Sequence, residues 1–385
     1  MKKVVVAGAG FAGATVARKL AEAGYEVEIF ERREQIGGNA YDRMDESGSY
    51  VHLYGPHIFH TSIDGVFEFL SRFTEWFEYK HKVLGYIDGK YVPIPFSLNS
   101  LQMCFPEEKA RRIEKKLIEK YGLNNKVTIS ELRKEEDADL LELAEYVYEK
   151  VFLHYTKKQW GLLPEQLGDG VTGRVPVSVS YQDGYFRDKH QYMPKHGFTE
   201  LFRNMLSHEN IKVRLGVDIL DHIKVLDDRI EVDGDSDVML IYTGCIDELF
   251  SYRFGELEYR SLRFDFEQVG ENVFQPSAVV NYPNDHDFTR ISEFKQFTIE
   301  GCGNDAPCTT IVREYPCPYE KGLIPYYPIP LKKCEEKYLK YAEYAKKFDQ
   351  LYLIGRLAEY KYYNMDLVVN SSMEMAEKII KGDQK

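Results

Sequence analysis

The sequence contains few cysteines, and their spacing does not group them. The six cysteines of this 385-residue chain share no Cys-x-x-Cys spacing; they are Cys104, Cys245, Cys302, Cys308, Cys317 and Cys334. Scattered thiols in a long chain are typical of reducing compartments, where disulfides do not persist. The pattern argues against a disulfide scaffold and a cysteine zinc site. We therefore expect free thiols and a cytoplasmic protein.

The chain also lacks a long apolar run and an excess of positive charge. Its longest weakly polar run, residues 4–17, is too short and too rich in glycine to span a bilayer. Met1-Lys2-Lys3 leads into a motif rather than a cleavable signal, so we expect no membrane insertion. The net charge of -12 argues against nucleic acid or an anionic membrane as partner. An anionic ligand would therefore have to be held by a few well-placed arginines.

What the chain has in quantity is tyrosine. It contains 29 tyrosines, which is high for its length. A tyrosine can stack on a flat ring and donate a hydrogen bond at the same time. With 44% hydrophobic and 29% charged residues, the chain is long enough for two or three domains that each have a core.

The first forty residues form a dinucleotide-binding pattern. Val4-Val5-Val6 predicts a buried strand, and it is followed by Gly8, Gly10, Gly13 and a helical segment that ends at Gly24. Gly8 allows a tight turn, and Gly10 lets the backbone approach a pyrophosphate. Gly13 lets the helix pack closely on the strand, so that the helix N-terminus faces the phosphates.

A second strand, Glu26 to Phe30, completes this unit and ends at Glu31, where an acid can accept both hydroxyls of an adenosine ribose. The tail from Arg32 to Asn39 contains a Gly37-Gly38 pair. It resembles the second glycine pair of glutathione-reductase and amine-oxidase flavoproteins, and this favours FAD over NAD. The alternative is an ordinary glycine turn.

Residues 48–60 form a loop with three histidines, His52, His57 and His60. A metal site is conceivable, but Gly55-Pro56 prevents His57 and His60 from lying on a regular helix. No Cys, Asp or Glu stands at ligand spacing beside them. We therefore predict no metal, and either a polar role beside a flavin or ordinary hydrogen-bonded packing.

The middle of the chain predicts a hairpin and then helices. Alternation over residues 81–96, with a turn at Asp88-Gly89, predicts the hairpin. Residues 98–160 predict helices, one opened by Pro106 and ended by Gly122. Another has a capping box from Thr128 to Glu131.

The segment Tyr155 to Gly161 is predicted to break the helical region, and the glycine-rich residues 161–173 after it suggest a hinged lid. This lid would deliver Arg174, which suits an anion. Tyr181 and Tyr185 follow on a strand-like stretch, where an aromatic pair suits a base or a sugar face. The alternative is a surface loop with packed aromatic residues.

The C-terminal half predicts a return to the dinucleotide domain. Residues 211–218 and 238–243 have strand patterns, and the alternation over residues 260–313 suggests an antiparallel sheet. A last buried strand ends at Gly355-Arg356, and Met365 to Ile380 is a last helix. The start of that helix would suit a cofactor.

Taken together, these residues resemble the UDP-galactopyranose mutases of the prokaryotic type over essentially the whole chain. The blocks that carry the resemblance are Gly8 to Gly13 with Glu31, Gly37 to Tyr41, Tyr54 to Thr61, Tyr155 to Gly161, Arg174, Tyr185, Tyr242 to Gly244, Tyr259 to Leu262, Thr289-Arg290, Glu314-Tyr315 and Gly355 to Leu357. Two residues depart from the family pattern: Cys245 replaces a usual proline, and Asn364 replaces a frequent aspartate.

The resemblance implies an α/β fold in which a Rossmann-like FAD-binding domain is joined to a helical domain and an antiparallel β-sheet domain. The FAD-binding domain is expected in three segments, residues 1–79, 195–249 and 335–385. The helical domain is expected over residues 97–163, followed by a mobile loop. The sheet domain, which would bind substrate, is expected over residues 80–96, 164–194 and 250–334.

The resemblance also implies roles for individual residues. Arg174 and Arg290 would grip a diphosphate and, with His57 and His60, form the catalytic set. The other residues expected to bind substrate are Tyr155 (stacked on uracil), Thr156, Trp160, Tyr185, Arg260 (contacting an unnamed group), Asn281, Tyr315 and Tyr362. The residues expected to bind the cofactor are Gly8, Gly10, Phe11, Ala12, Gly13, Glu31, Arg32, Gly38, Asn39, His57, Ile58, Val217, Arg356, Met365 and Asp366.

The implied activity is an isomerase (intramolecular transferase) that interconverts UDP-galactopyranose and UDP-galactofuranose, with reduced FAD as the active form. The product would serve cell-surface polysaccharide, and the resemblance suggests a homodimer. The segments that resemble substrate contacts offer no Asp/Glu pair, so we expect flavin N5 to attack the sugar and form a covalent adduct. The alternatives are an amine-oxidase-like FAD oxidoreductase and a flavin-free carrier similar to GDP-dissociation inhibitors.

Overall fold

The structure, a computed structural model, describes residues 2–167, 176–298 and 306–383. It contains two large sheets and a group of helices. Residues 168–175, which include the predicted lid's Arg174, lie outside the described residues.

The first sheet has five parallel strands, and the N-terminal strand lies at its centre. Their order across the sheet is Ile211–Leu215, Glu26–Glu31, Lys3–Ala7, Met239–Tyr242 and Leu351–Leu353. The predicted N-terminal strand, helix and second strand are thus confirmed, as is the return of the later strands to this sheet.

Both faces of this sheet are buried, as expected for parallel strands. Val4 and Val6 face the core formed by three helices, Phe11–Glu22, Gly197–Leu206 and Met365–Asp383. Val5 and Ala7 face a second core, to which the helix Lys332–Ala345 contributes. Because side chains alternate along this short strand, the strand contributes to both cores.

The second sheet has seven strands. Their order is Tyr327–Pro328, Tyr259–Val269, Thr309–Pro318, Arg290–Glu293, Val279–Asn281, Val83–Ile87 and Lys90–Ile94. The predicted hairpin at Asp88-Gly89 is confirmed. The antiparallel prediction needs one correction, because Val279–Asn281 and Val83–Ile87 pair in parallel. A long segment of the chain, rather than a tight turn, lies between these two strands, so they can run in the same direction.

The helices lie mainly between residues 98 and 160. Their bounds are Leu98–Cys104, Glu107–Tyr121, Ile129–Leu132, Ala138–Val147, the π-helical Tyr148–Leu153, and His154–Trp160. Pro106 and Gly122 flank the second of these, and the capping box between Thr128 and Glu131 is formed, as predicted. The prediction of a break at Tyr155 is wrong, because the helix continues through Trp160 and ends at Gly161.

The remaining elements are short. The remaining strands form one three-stranded sheet and three two-stranded sheets. The three-stranded sheet contains Phe59–Thr61, His190–Pro194 and Trp76–Glu78. The pairs are Asp42–Met44 with Tyr50–His52, Lys126–Val127 with Val177–Ser178, and Ile223–Val225 with Ile230–Val232. The other helices are Asp64–Ser71 and Ile246–Leu249, and the 3-10 turns are Gly38–Ala40, Pro164–Gln166, Ile219–Asp221 and Phe294–Phe297. Tyr181 and Tyr185 lie on irregular backbone, so the strand predicted for them is wrong.

The strands of the five-stranded sheet fall within residues 1–79, 195–249 and 335–385, and those of the seven-stranded sheet within residues 80–96 and 250–334. The division into three domains stays a prediction. Across the described parts of the chain, no helix has the length and apolar character needed to cross a membrane.

Candidate active site: two joined cavities

Two cavities lie next to each other at the carboxyl edge of the parallel sheet. The first is lined by the glycine turn, the end of the second strand and residues 218–220. The second, of about 590 Å³, lies against the seven-stranded sheet. Four residues line both cavities: Asn39, His57, Arg356 and Met365. A ligand in one cavity could therefore contact a ligand in the other.

The glycine turn brings two backbone segments unusually close together. A Cβ atom added to Gly38 would lie 3.0 Å from the Cα atom of Gly10. The helix Phe11–Glu22 begins here, with Gly10 as its N-cap and no side chain bonded to its first N–H groups. These N–H groups are therefore available to an anion.

Gly13 has a different role from its neighbours, because it does not line the cavity. Its added Cβ atom would lie 2.0 Å from the carbonyl oxygen of Gly8, inside the contact between helix and strand. This position therefore requires glycine for packing, as the sequence predicted. Gly8, Gly10, Phe11 and Ala12 do line the first cavity.

Glu31 closes the turn at the end of its strand. One carboxylate oxygen accepts from the Ala9 N–H at 2.8 Å, and the other accepts from the Arg33 N–H at 3.0 Å. Each oxygen keeps a further lone pair for a hydroxyl. Val217 does not line the cavity, and its N–H is bonded to the Glu31 carbonyl at 3.1 Å. Val217 thus aligns the next residue, Asp218, which does line it.

The arginines beside Glu31 add positive charge to this cavity. Arg32 lines it and lies 3.6 Å from Glu248, whose charge helps to raise the pKa of Arg32 against the effect of burial. Arg33 donates to the Asn39 side chain at 2.8 Å, and its other terminal nitrogen is buried with no hydrogen-bond partner among the described residues. The close backbone approach, the helix N-terminus and the positive charge of Arg32 and Arg33 fit the phosphates and ribose of a dinucleotide.

His57 lies in the wall that the two cavities share. Its Nδ1 lies 2.8 Å from the Gly55 carbonyl, so Nδ1 carries the proton and Nε2 is the acceptor of the neutral ring. Burial, together with the neighbouring His52, lowers the pKa of His57 to about 3. His57 can therefore accept a hydrogen bond at neutral pH but does not supply a positive charge.

His52 fixes the backbone of His57 through a hydrogen bond. Its Nδ1 accepts the His57 N–H at 2.9 Å, so its own proton is on Nε2, which faces Asp42 at 4.0 Å. Burial lowers the pKa of His52 to about 3. Asp42 in turn accepts from the N–H groups of Phe198 and Thr199 at the start of a helix. The sequence predicts a polar role for this histidine loop but no separate role for His52.

Three neighbouring strands bring polar side chains to the wall of the second cavity. Asn281 and Arg290 lie opposite each other on neighbouring strands, and Glu314 pairs with Arg290 on the other side. Asn281 Oδ1, Arg290 Nε and Glu314 Oε1 are buried, and none of them has a hydrogen-bond partner among the described residues. Buried polar atoms are nearly always satisfied in proteins. All three residues line the second cavity, which therefore offers charged and amide groups to a polar ligand.

Arg290 is held on two sides. Its guanidinium donates to the Tyr155 hydroxyl at 2.6 Å, and its Nε lies 3.6 Å from a Glu314 carboxylate oxygen. Burial raises the pKa of Glu314, and the charge of Arg290 offsets part of that effect. At this distance the two groups form an ion pair without a hydrogen bond between them.

The helix His154–Trp160 forms one side of this region. Trp160 packs against Tyr327 and Tyr362, with ring centroids 5.9 and 6.4 Å away, and both tyrosines line the second cavity. Tyr155 borders the cavity through Arg290. Thr156 is buried and does not line it.

Histidines and aromatic rings form the opposite wall. His60 Nδ1 lies 2.9 Å from Asp188, and its ring stacks on Phe186 with centroids 3.6 Å apart. His81, which is not among the predicted site residues, also lines the cavity. Burial lowers the pKa of His81 to about 3, so it is neutral at physiological pH. Tyr185 lines the cavity as predicted.

The structure does not bring every predicted residue to the cavities. Tyr315 lies on the opposite face of its strand from Glu314 and packs under Arg263 at 4.1 Å, because side chains alternate along a strand. Tyr327 lines the cavity instead. Among the predicted cofactor residues, Ile58 lines only the second cavity and Asp366 lines neither. Arg174 lies outside the described residues.

Arg260 is another predicted site residue that the structure places elsewhere. It is buried and donates to the carbonyl groups of Lys158 and Gln159 at the end of the helix His154–Trp160. These carbonyls have no partner within the helix. Arg260 thus supports the helix beside the cavity and does not line the cavity itself.

The two residues that depart from the family pattern have local roles. Cys245 is buried, and its carbonyl accepts from the Tyr242 hydroxyl at 3.1 Å. Burial raises the pKa of its thiol, so it is not a reactive thiolate. Asn364 lines the second cavity. In the described ranges, no group of three or more His, Cys, Asp or Glu side chains is arranged to hold a metal ion.

Comparison with known proteins agrees with this geometry. A family model described as UDP-galactopyranose mutase matches residues 150–362, and one described as an NAD(P)-binding Rossmann-like domain matches residues 6–73. The chain is 34% identical to a dTDP-fucopyranose mutase of Escherichia coli over 100% of both chains. It is 32% identical to a UDP-galactopyranose mutase of Mycoplasma pneumoniae over 98% of this chain and 96% of that one. The chain belongs to the UDP-galactopyranose mutase family.

A solved structure shows the same fold as this member of the UDP-galactopyranose mutase family. The crystal structure of a reduced UDP-galactopyranose mutase superposes with a TM-score of 0.73 at 16% identity, covering 100% of this chain and 95% of that one. The predicted fold class is confirmed. Membership of this family makes the chain an enzyme, and the carrier alternative is not supported. The family model also covers the part of the chain in which an amine-oxidase-like enzyme would differ.

Proposed function

We propose that this enzyme interconverts UDP-galactopyranose and UDP-galactofuranose and that it requires reduced FAD. The observation that carries the proposal is a cavity lined by Asn281, Arg290 and Glu314 that shares a wall with the dinucleotide cavity. A volume of about 590 Å³ lies within the usual range for small-molecule sites. The cavity therefore suits a nucleotide sugar placed next to a cofactor.

The residues around the first cavity would hold FAD. Gly10, Gly38 and the start of the helix Phe11–Glu22 would receive the pyrophosphate, and Glu31 the ribose. Arg356 and Met365, which line both cavities, would hold the flavin end. When bound and reduced, the flavin would supply a nucleophilic N5 for the covalent route that the family resemblance implies.

Arg290 would bind the diphosphate and stabilise the negative charge that grows on UDP as it departs. The Tyr155 hydroxyl holds the guanidinium in place, so little reorganisation is needed during the reaction. Arg174 would supply a second cation, as the sequence predicts. His57 and His81 would act as neutral hydrogen-bonding groups, because burial lowers the pKa of each to about 3.

The acidic residues argue against a glycosidase-like route. Glu314 is the single carboxylate among the described residues that line the second cavity, whereas a glycosidase uses a pair. Asp188 is nearby but is bonded to His60 and Ser62. The attacking group is therefore better assigned to the cofactor than to a side chain.

Product analysis tests which nucleotide sugar this enzyme converts. Full-length relatives carry the names of a UDP-galactopyranose mutase and a dTDP-fucopyranose mutase. We would incubate the dithionite-reduced protein with each pyranose in parallel and identify the products by chromatography. Conversion of UDP-galactopyranose by the reduced form supports the proposal. Conversion of dTDP-fucopyranose alone, or equal turnover by the oxidised form, would contradict it.

The homodimer, the cytoplasmic location and the use of the product in polysaccharide stay predictions. They do not affect the assignment of the two cavities.

A further inference from the structure

Lys158 is surrounded by the carbonyl oxygens of a single loop. Its ammonium group donates to the carbonyls of Tyr282, of His286 at 2.9 Å and of Phe288 at 3.1 Å, and lies 3.5 Å from that of Asn284. Within the described part of the chain it forms no salt bridge, and its hydrogen bonds all go to main-chain oxygens. Three donors on one cation can satisfy several oxygens that converge on one point.

The carbonyl groups that bind Lys158 belong to the loop of residues 282–289, which joins two strands of the seven-stranded sheet. Asn281 ends one strand and Arg290 begins the next, so both polar residues of the second cavity lie at the base of this loop. The Tyr282 N–H is bonded to the Thr289 carbonyl at 2.8 Å, which closes the base. A shift of the loop would therefore move the ends of both strands.

Lys158 itself lies on the helix His154–Trp160, which carries Tyr155 and Trp160. This helix touches the strand at a second point, where Tyr155 meets Arg290 at 2.6 Å. On its other side, Arg260 fixes the last carbonyls of the helix. The helix is thus anchored to the sheet by Arg260 and to the loop by Lys158.

We propose that Lys158 is a positioning residue for the nucleotide-sugar cavity: its ammonium group sets the spacing between the helix that carries Tyr155 and the loop that carries Asn281 and Arg290. The inference rests on the proposed function, because it assumes that this cavity binds a nucleotide. Converging carbonyl oxygens repel one another when no cation lies among them. Loss of the ammonium should therefore open the loop and move Arg290.

The opposite view is that Lys158 only stabilises the fold. The two views differ in what they predict for binding by folded protein. A fold-stabilising lysine would change the melting temperature but leave the affinity of the folded enzyme for nucleotide unchanged. A positioning lysine would weaken nucleotide binding while flavin content stayed normal, because the first cavity does not include this loop.

The test uses the flavin-loaded enzyme and UDP as the probe. Lys158→Met keeps a side chain of similar length but removes the donors, and Lys158→Arg keeps the charge. Lys157→Met is the matched control, because Lys157 is the exposed neighbour on the same helix. We would measure the Kd for UDP by calorimetry, together with flavin content and with kcat and KM for UDP-galactopyranose.

We expect Lys158→Met to raise both Kd and KM by about tenfold or more, with a smaller change in kcat. Lys158→Arg should recover part of the affinity, and Lys157→Met should match the wild type. If Lys158→Met does not fold, Lys158→Gln, which keeps two N–H donors, should still bind UDP more weakly than Lys157→Gln. Equal Kd values for the variants at 158 and 157 would overturn the inference. Failure of the wild type to bind UDP would instead overturn the proposed function and, with it, the inference.

Discussion

Arg290 and Glu314 lie directly opposite each other on neighbouring strands, with Arg290 Nε 3.6 Å from the carboxylate. Tyr155 accepts a hydrogen bond from the other end of the same guanidinium at 2.6 Å. The arginine is thus fixed from two sides, by an ion pair and by a hydrogen bond. A cation held in this way can meet a diphosphate without first being reoriented.

The first prediction concerns the shape of this cation. Arg290→Ala and Arg290→Lys should each lower kcat/KM by at least about 100-fold, because a lysine ammonium cannot contact Tyr155 and a diphosphate with a planar fork. Arg263→Lys is the control, since Arg263 packs on Tyr315 on the other face of the sheet. Steady-state kinetics with UDP-galactopyranose would measure the effect. Near wild-type kcat/KM in Arg290→Lys would show that the diphosphate is held elsewhere.

The second prediction concerns the close approach of two backbone segments in the first cavity. Gly10→Val should weaken FAD binding by at least about 2 kcal/mol, the scale of overpacking, because the valine methyl groups would enter the first cavity, where the backbone of Gly10 would approach the pyrophosphate. The measurement is the flavin-to-protein absorbance ratio after purification. Gly65→Ala is the control, since nothing lies within 4 Å of its added Cβ atom. A normal flavin ratio in Gly10→Val would contradict the cofactor assignment.

Local patterns allowed much of the fold to be predicted. The glycine turn, the hairpin at Asp88-Gly89 and the capping box at Thr128 depend on residues close together in sequence, and all three formed as expected. The continuous helix through Tyr155 was missed because Trp160, followed within a few residues by Gly168, Gly170 and Gly173, suggested that the helical region breaks there. Packing against the seven-stranded sheet, which the local pattern does not reveal, keeps that helix intact.

The site was predicted less completely, because it depends on which face of a strand meets the cavity. Alternation shows that Glu314 and Tyr315 face opposite ways, but it does not say which of them faces the ligand. The pairing of Glu314 with Arg290 decides this, and it is a long-range contact. Tyr327 and His81 also reach the cavity through long-range packing. A search for residues in register with Arg290 could have found Glu314.

The third prediction uses Trp160 as a reporter of nucleotide binding. In a Trp76→Phe variant, the emission of Trp160 should change as UDP is added, because Trp160 packs on Tyr327 and Tyr362 at the cavity wall. Trp76 instead stacks on Phe59 at 4.9 Å, away from that wall. The reciprocal Trp160→Phe variant should therefore give a nearly constant signal. Unchanged Trp160 emission alongside UDP binding proven by calorimetry would argue against this placement.

The last prediction is that acid destabilises this protein through its buried neutral histidines. Burial lowers the pKa of His52 to about 3, below the ordinary value of 6.5. As the pH falls below 6.5, His52 gains a proton in the unfolded chain but not in the folded protein. The free energy of unfolding therefore decreases as the pH is lowered from 6.5 to 3.

From pH 7.5 to pH 5 this loss is about 2 kcal/mol for each such histidine. His57 and His81 act in the same direction, because burial lowers the pKa of each of them as well. Burial raises the pKa of Asp42 and of Glu314, and these carboxyls oppose the trend as they gain protons. The contribution of one histidine is therefore best isolated by a difference between two proteins.

His52→Asn suits this comparison, because an asparagine oxygen can replace Nδ1 as acceptor of the His57 N–H but does not titrate. We would measure the free energy of unfolding by urea between pH 7.5 and pH 5 for the wild type, for His52→Asn and for His154→Asn, which changes an exposed histidine. The wild type and His154→Asn should lose about 2 kcal/mol more than His52→Asn over this range. Parallel curves for all three proteins would show that His52 is not held neutral in the fold.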